Sequence, residues 1–309
     1  MAGGAQSSGD AVSSTYENAR TWLLLPSWIV LTFLALIPVI LMLIYSFLTK
    51  EFRGGVIWDF SLAAYDQFFF DRGLFGDDPP TLEWTYITIF WRSIWQAGAA
   101  TLLSLLIGFP TAYYIATRPA KTRAMWVFLI TIPYWVNLLI RTVSMKFLLR
   151  DQGPLNDTLI GLGLIDAPLA LVNTNFAVQL GLFYSYLPFM VLPIYAAVER
   201  YNFTLSEAAA DLYASKFVTL RRILLPTIKP GVIAGCILVF VPSLGSFLAP
   251  DLLGGAKNYM IGSLIEEQFK GNAGNWPFGA ASAMILLTMV LIVLIIFARS
   301  QSQREKGAK

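Results

Sequence analysis

Apolar runs recur along this 309-residue chain, most of them long enough to carry a helix from one side of a bilayer to the other. They fall at residues 22–47, 87–116, 124–148, 176–198, 232–248 and 278–298. A helix needs about 20 apolar residues to cross the hydrocarbon core. Only the fifth run is shorter, and it is interrupted by Pro242 and Gly245. Hydrocarbon offers a free backbone no hydrogen-bond partner, so the runs are expected to be helices. The alternating strands of a membrane barrel do not occur in them. Charged residues make up 13% of the chain, against about 25% in a soluble protein. The expected class is an all-α, polytopic membrane protein with six transmembrane helices.

Orientation follows from Lys and Arg, which concentrate on the cytoplasmic side of membrane proteins. With both termini inside, the inner segments hold thirteen of them, the outer segments six, and the spans three: Arg92, Arg141 and Lys146. On this topology those three lie toward the outer half, where long side chains reach the interface. The polar, Ser-, Gly- and Ala-rich residues ahead of the first run carry only Arg20, too little for a cleaved signal. They read as a flexible tail. The outer segments are acidic, with Asp77, Asp78, Asp251, Glu266 and Glu267 among their carboxylates. Such a face attracts a cationic solute or a basic partner, although solvated loops of an inside-positive protein are acidic without any such role.

Little chemistry is open to the chain. It has no His and one Cys, Cys236, which leaves no zinc, haem or iron–sulfur ligand set and no Ser-His triad. No G-x-x-x-x-G-K-[ST] cradle for phosphate occurs. A net charge of +3 is too small to suggest nucleic acid. The expectation is a protein with no cofactor, no metal and no catalytic residue. Energy for any transport must come from a partner or an ion gradient.

One polar stretch, 205–228, interrupts the apolar pattern and reads as two short helices joined near Tyr213–Ser215. Ser206 is placed to cap the first, with Glu207 near its positive end. Ala208, Ala209 and Ala210 are small, strong helix formers. Phe217, Leu220, Ile223 and Leu224 give the second helix an apolar stripe. Pro226 is expected to end it, and Pro230-Gly231 to open the next span. Such a hairpin can lie on the membrane surface or seat in a groove of another protein.

The spacing Glu207-Ala208-Ala209, Ile223 and Leu225-Pro226 resembles the EAA loop of bacterial ABC importer permeases, with Tyr213 where the family pattern has Gly. The chain is similar to the spermidine/putrescine (PotB/PotH-like) branch of that family. The resemblance is carried by Trp91-Arg92-Ser93, Leu139-Ile140-Arg141-Thr142, Arg150 to Asn156, Leu187-Pro188-Phe189-Met190, Asp251 to Gly255 and Asn275 to Gly279. It implies a type I ABC importer permease fold in the bacterial inner membrane. Residues 1–21 and 299–309 are then cytoplasmic tails, 22–48 the first transmembrane helix and 49–86 a periplasmic segment. The permease core is 87–298, with its coupling loop at 199–230. The resemblance also implies two copies of a separate ATPase, a second permease subunit and a periplasmic solute-binding protein. Tyrosine in place of glycine implies a different turn, or added packing against the ATPase.

A polyamine needs carboxylates and aromatic faces, and path residues are expected at kinks, where backbone opens to a cavity. The third span offers Tyr134, Trp135 and Asn137 beside Pro133. The fourth offers Tyr184 and Tyr186, and the fifth Phe240, Ser243, Ser246, Phe247 and, at its outer end, Asp251. Arg92, Arg141 and Lys146 could instead line the path and favour an anionic solute. A secondary transporter or channel working without an ATPase remains the competing class; the paired internal repeats common in that class are not evident.

Overall fold

The computed structural model describes residues 6–51, 54–71, 81–270 and 274–307. Asp77 and Asp78 of the acidic segment lie outside the described residues, as do 1–5 and 308–309 of the two tails. The first helix, α1 (Gln6–Tyr45), already includes residues expected as a flexible tail; nothing before Pro26 interrupts it. A small outer layer follows: strands β1 (Leu48–Lys50) and β2 (Val56–Phe60), helix α2 (Ala63–Phe69), and strands β3 (Phe70–Asp71) and β4 (Thr81–Leu82). The strands pair as two short antiparallel ribbons, β1 with β2 and β3 with β4. The chain is therefore helical wherever it crosses lipid, but not throughout. Outside the hydrocarbon, short strands have water to satisfy their free edges.

The core is a trio of long helices, α3 (Trp84–Ala116), α7 (Asn175–Glu199) and α10 (Leu225–Leu244), each packed on the other two. Small residues line their contacts: Ala97, Ala100, Ala112, Gly181 and Gly235 are all buried. Membrane helices approach closely through such residues because hydrocarbon supplies no hydrophobic push between them. Polar groups add to the seam. Gln96 donates to Asn175 at 2.7 Å, and Gln179 donates to the Gln96 backbone oxygen at 3.0 Å. Among the described residues five helices are long and apolar enough to span, and a bent pair taken as one span makes a sixth.

That pair is the third span, and its kink is far sharper than a proline alone suggests. Helix α4 (Ala120–Thr131) runs into a 3-10 turn at Ile132–Trp135, Val136 is extended, and α5 (Leu138–Leu149) sets off at a bend of 88°. Two residues cause the break. Proline 133 stands at the start of the 3-10 turn, and Asn137 caps α5 by accepting from the Leu139 N–H at 2.8 Å. A second proline behaves unlike the expectation. Pro226 does not end its helix: α9 (Lys216–Thr219), a wide π-turn at Leu220–Leu224 and α10 form one apolar span, Lys216–Leu244. The Leu225 N–H reaches back five residues to the Leu220 carbonyl. This widened turn makes room for the ring that follows.

Helix α6 (Pro154–Gly161) links α5 to α7, and α8 (Thr204–Asp211) links α7 to α9. Beyond α10 come a π-turn at Pro250–Gly254, α11 (Ile261–Phe269) and α12 (Trp276–Gly307). Helix α1 packs on α12, yet none of its apolar stretch, Leu24–Tyr45, is buried by the rest of the chain.

Candidate functional site

The hairpin between α7 and α10 is built as two helices and a tight turn. Its first helix begins two residues before the expected cap. Asn202 Oδ1, not Ser206, accepts from the Thr204 N–H, at 3.1 Å. The Ser206 hydroxyl instead shares a hydrogen bond of 2.8 Å with the Tyr201 hydroxyl, pinning α8 to the end of α7. Ala209 faces inward, while Glu207, Ala208 and Ala210 are exposed. After Asp211 the chain reverses through Tyr213, whose φ of 56° is left-handed. The turn is closed by Tyr213 N–H to Ala210 O at 2.9 Å and Ala214 N–H to Ala209 O at 3.0 Å. A tyrosine thus holds the backbone shape that glycine would take more cheaply. The expected different turn is not found, and the ring itself is 99% exposed. Ser215 then caps α9.

The stripe on the second helix divides. Leu220, Ile223 and Leu224 pack into the core cluster around Met190, Ile194 and Val198, whereas Phe217 stays exposed. Leu225 and Pro226 are exposed at the stem. The hairpin therefore exposes Glu207 on α8, Leu212 and Tyr213 at the turn and Phe217 on α9. Behind it lies a cleft of about 430 Å³, lined among others by Tyr113, Tyr201, Phe203, Ser206 and Lys216. At this end Arg123 and Glu199 form an ion pair of 2.8 Å that ties α4 to α7.

The structure gathers three of the ten path residues read from sequence. Tyr134, at the break of the third span, meets Phe189 of α7 edge to face, ring centroids 4.9 Å apart. Phe189 lies nearly parallel to Tyr186 at 6.3 Å. The Tyr186 hydroxyl donates to the Pro242 carbonyl at 3.3 Å and lies beside the Ser246 side chain. The guanidinium of Arg141 sits 5.1 Å from the centroid of the Tyr134 ring. Arg141 is only 7% exposed. Its side chain is therefore packed against the bundle, on a helix that meets α6, α7 and the turn at Pro250–Gly254. Arg92 does find a partner, donating to the Lys257 carbonyl. Phe189 was not among the path residues read from sequence; an aromatic in a membrane helix carries no local mark of its neighbours.

The other seven stand apart from this cluster. Asn137 serves as a helix cap, and Trp135 is 83% exposed. Tyr184 and Phe247 are exposed. Phe240 packs in the cluster of Ala97, Leu244 and Val290. The Ser243 hydroxyl is spent on the Val239 carbonyl at 2.7 Å, inside its own helix. Asp251 lines a separate cleft of about 300 Å³ at the end away from the hairpin, with Tyr259, Glu266, Glu267 and Lys270. There Lys270 pairs with Glu266 at 2.5 Å, which raises the pKa of its ammonium. Tyr259 is hydrogen-bonded to Glu267.

Residues 104–305 match the family described as binding-protein-dependent transport system inner membrane component. The spermidine/putrescine transport system permease protein PotB of Haemophilus influenzae is 38% identical over 274 residues, 89% of this chain and 90% of that protein. PotB of Escherichia coli K12 is 39% identical over 273 residues, 88% and 94% of the two chains. Among solved structures, a chain of a bacterial ABC transporter involved in the import of the acidic polysaccharide alginate superposes with a TM-score of 0.63. At 20% identity, over 94% of this chain and 99% of that one, it speaks for the fold alone.

Proposed function

We propose a role for this chain on one premise: it belongs to the family of inner-membrane components of binding-protein-dependent transport systems. It is a multi-pass permease of the ABC importer class, and its fold is that of type I importer permeases. Beyond this, its cargo is a polyamine such as spermidine or putrescine. The observation that carries this reading is similarity to PotB proteins across nearly nine-tenths of the chain.

Both termini and the hairpin face the cytoplasm, in keeping with the excess of Lys and Arg on that side. The hairpin docks on a separate ATPase, present in two copies. Glu207, Ala208, Ala209 and Tyr213 supply its contact, and Ile223, Leu225 and Pro226 join it to α10. The unbroken helix from Lys216 to Leu244 supports this, because a push on the hairpin moves α10 as a rod. A second permease subunit completes the path, and the unburied apolar length of α1 gives it a surface to cover. A periplasmic binding protein delivers the solute to the outer face, where 49–86 and α11 meet it.

Purification of the complex tests the coupling. A stoichiometric ATPase is expected with the wild type, and Glu207→Arg should abolish solute-stimulated ATP hydrolysis. Normal hydrolysis in that variant, or uptake by the purified chain alone, would remove the coupling reading. Uptake competed by spermidine and putrescine, and not by dicarboxylates, is expected of cells carrying the whole system. The reverse pattern would displace the polyamine.

A further inference from the structure

Among the described residues, Arg141 is the one charged side chain with buried donors that meet no acceptor: both Nε and Nη1 are closed off and unmatched. A cation inside a membrane bundle is held at a cost under such conditions. What it does meet is the face of Tyr134, 5.1 Å from its guanidinium carbon. Tyr134 is followed through the cluster by Phe189 and Tyr186, and Tyr186 lies within electrostatic reach of Arg141. A cation over an aromatic face is the contact that holds an organic ammonium group, and two further rings continue from that face. Here a side chain of the protein itself makes that contact.

We propose that Tyr134, Tyr186 and Phe189 form an ammonium-binding site at the break of the third span, which Arg141 occupies as a tethered competitor until an incoming amine displaces it. The inference rests on the polyamine reading above and adds to it a site and the occupant of its empty state. Two features suit the exchange. Arg141 is held by a ring face without hydrogen bonds from Nε or Nη1, so little binds it there. Tyr134 and Arg141 also stand on opposite sides of the 88° break, so a change in that bend parts the guanidinium from the ring. A resident positive charge further opposes leakage of small inorganic cations through the empty bundle.

Uptake of labelled putrescine by the complete complex in proteoliposomes tests this. Arg141→Met removes the competitor without shortening the side chain greatly. KM should fall about fivefold, the factor that a cation–π contact of ordinary strength supplies, and sodium leak should rise. Tyr134→Leu should raise KM by a similar factor and erase the gain from Arg141→Met in the double variant. Arg141→Lys keeps the charge and should keep the wild-type KM. If wild-type uptake is intact and both Arg141→Met and Tyr134→Leu leave KM unchanged, the site is overturned and the polyamine reading stands. A wild-type complex that hydrolyses ATP but takes up no polyamine overturns both. Should Arg141→Met fail to assemble, Tyr134→Leu decides: a raised KM supports the site and an unchanged one sinks it. Competition by a dicarboxylate that is lost in Arg141→Met would assign Arg141 to an anion and also overturn the proposal.

Discussion

Tyr213 shows how much one backbone angle can carry. Its left-handed φ of 56° is uncommon for any residue with a Cβ, and among the described residues none packs on its ring, which is 99% exposed. Tyr213→Gly should therefore stabilise the isolated permease by about 1 kcal/mol, because glycine adopts this angle without the steric penalty. Tyr213→Val should destabilise it by at least ~1 kcal/mol, since a β-branched side chain tolerates the angle worst. Thermal unfolding in detergent reads both, and equal melting temperatures would mean that the turn is not left-handed. The position was visible in sequence as a departure from a glycine pattern, and its conformation turned out to be the glycine one. Arg141 was the harder residue. Its charge and its span were plain, but the direction of its side chain depends on a bend elsewhere, and no local spacing encodes that.

Among the elements, α7 and α10 approach each other closely. A Cβ at Gly231 would come within 2.8 Å of the Pro193 carbonyl oxygen and would also strike the Ala197 side chain. Backbone and a neighbouring Cβ cannot swing aside as a flexible side chain can. Gly231→Val should cost about 2–3 kcal/mol through overpacking and should lower the melting temperature of the purified protein. A variant with unchanged stability would mean that the two helices stand further apart. Helices were largely legible along the chain, since period and length of the apolar runs leave lipid-spanning segments little freedom. Their punctuation was less so. Pro226 looked like a terminator, but a π-turn just ahead of it lets the helix pass. Pro133 and Asn137 marked a kink, but not one approaching a right angle. Local residues say that a helix is disturbed; the neighbouring helices decide whether it bends, widens or stops.

For the molecule as a whole, the class and the hairpin could be read from sequence, whereas the assembly of the aromatic cluster could not. Tyr134, Tyr186 and Ser246 lie on three separate elements that meet only after the bundle closes. Asp251, chosen as a carboxylate near a kink, ended in another cleft because the π-turn at Pro250–Gly254 carries it away. The broken third span has a last consequence, and it concerns the lipid. The arm made of α4 and its 3-10 turn is about 26 Å long, and α5 about 18 Å, while a typical hydrocarbon core is about 30 Å thick. On this flank the wall is too short for the membrane around it, and acyl chains must compress or tilt to meet it. Coupled ATP hydrolysis in nanodiscs should accordingly be fastest with short-tailed phospholipids and decline as the tails lengthen; indifference to tail length would show that the flank never touches lipid.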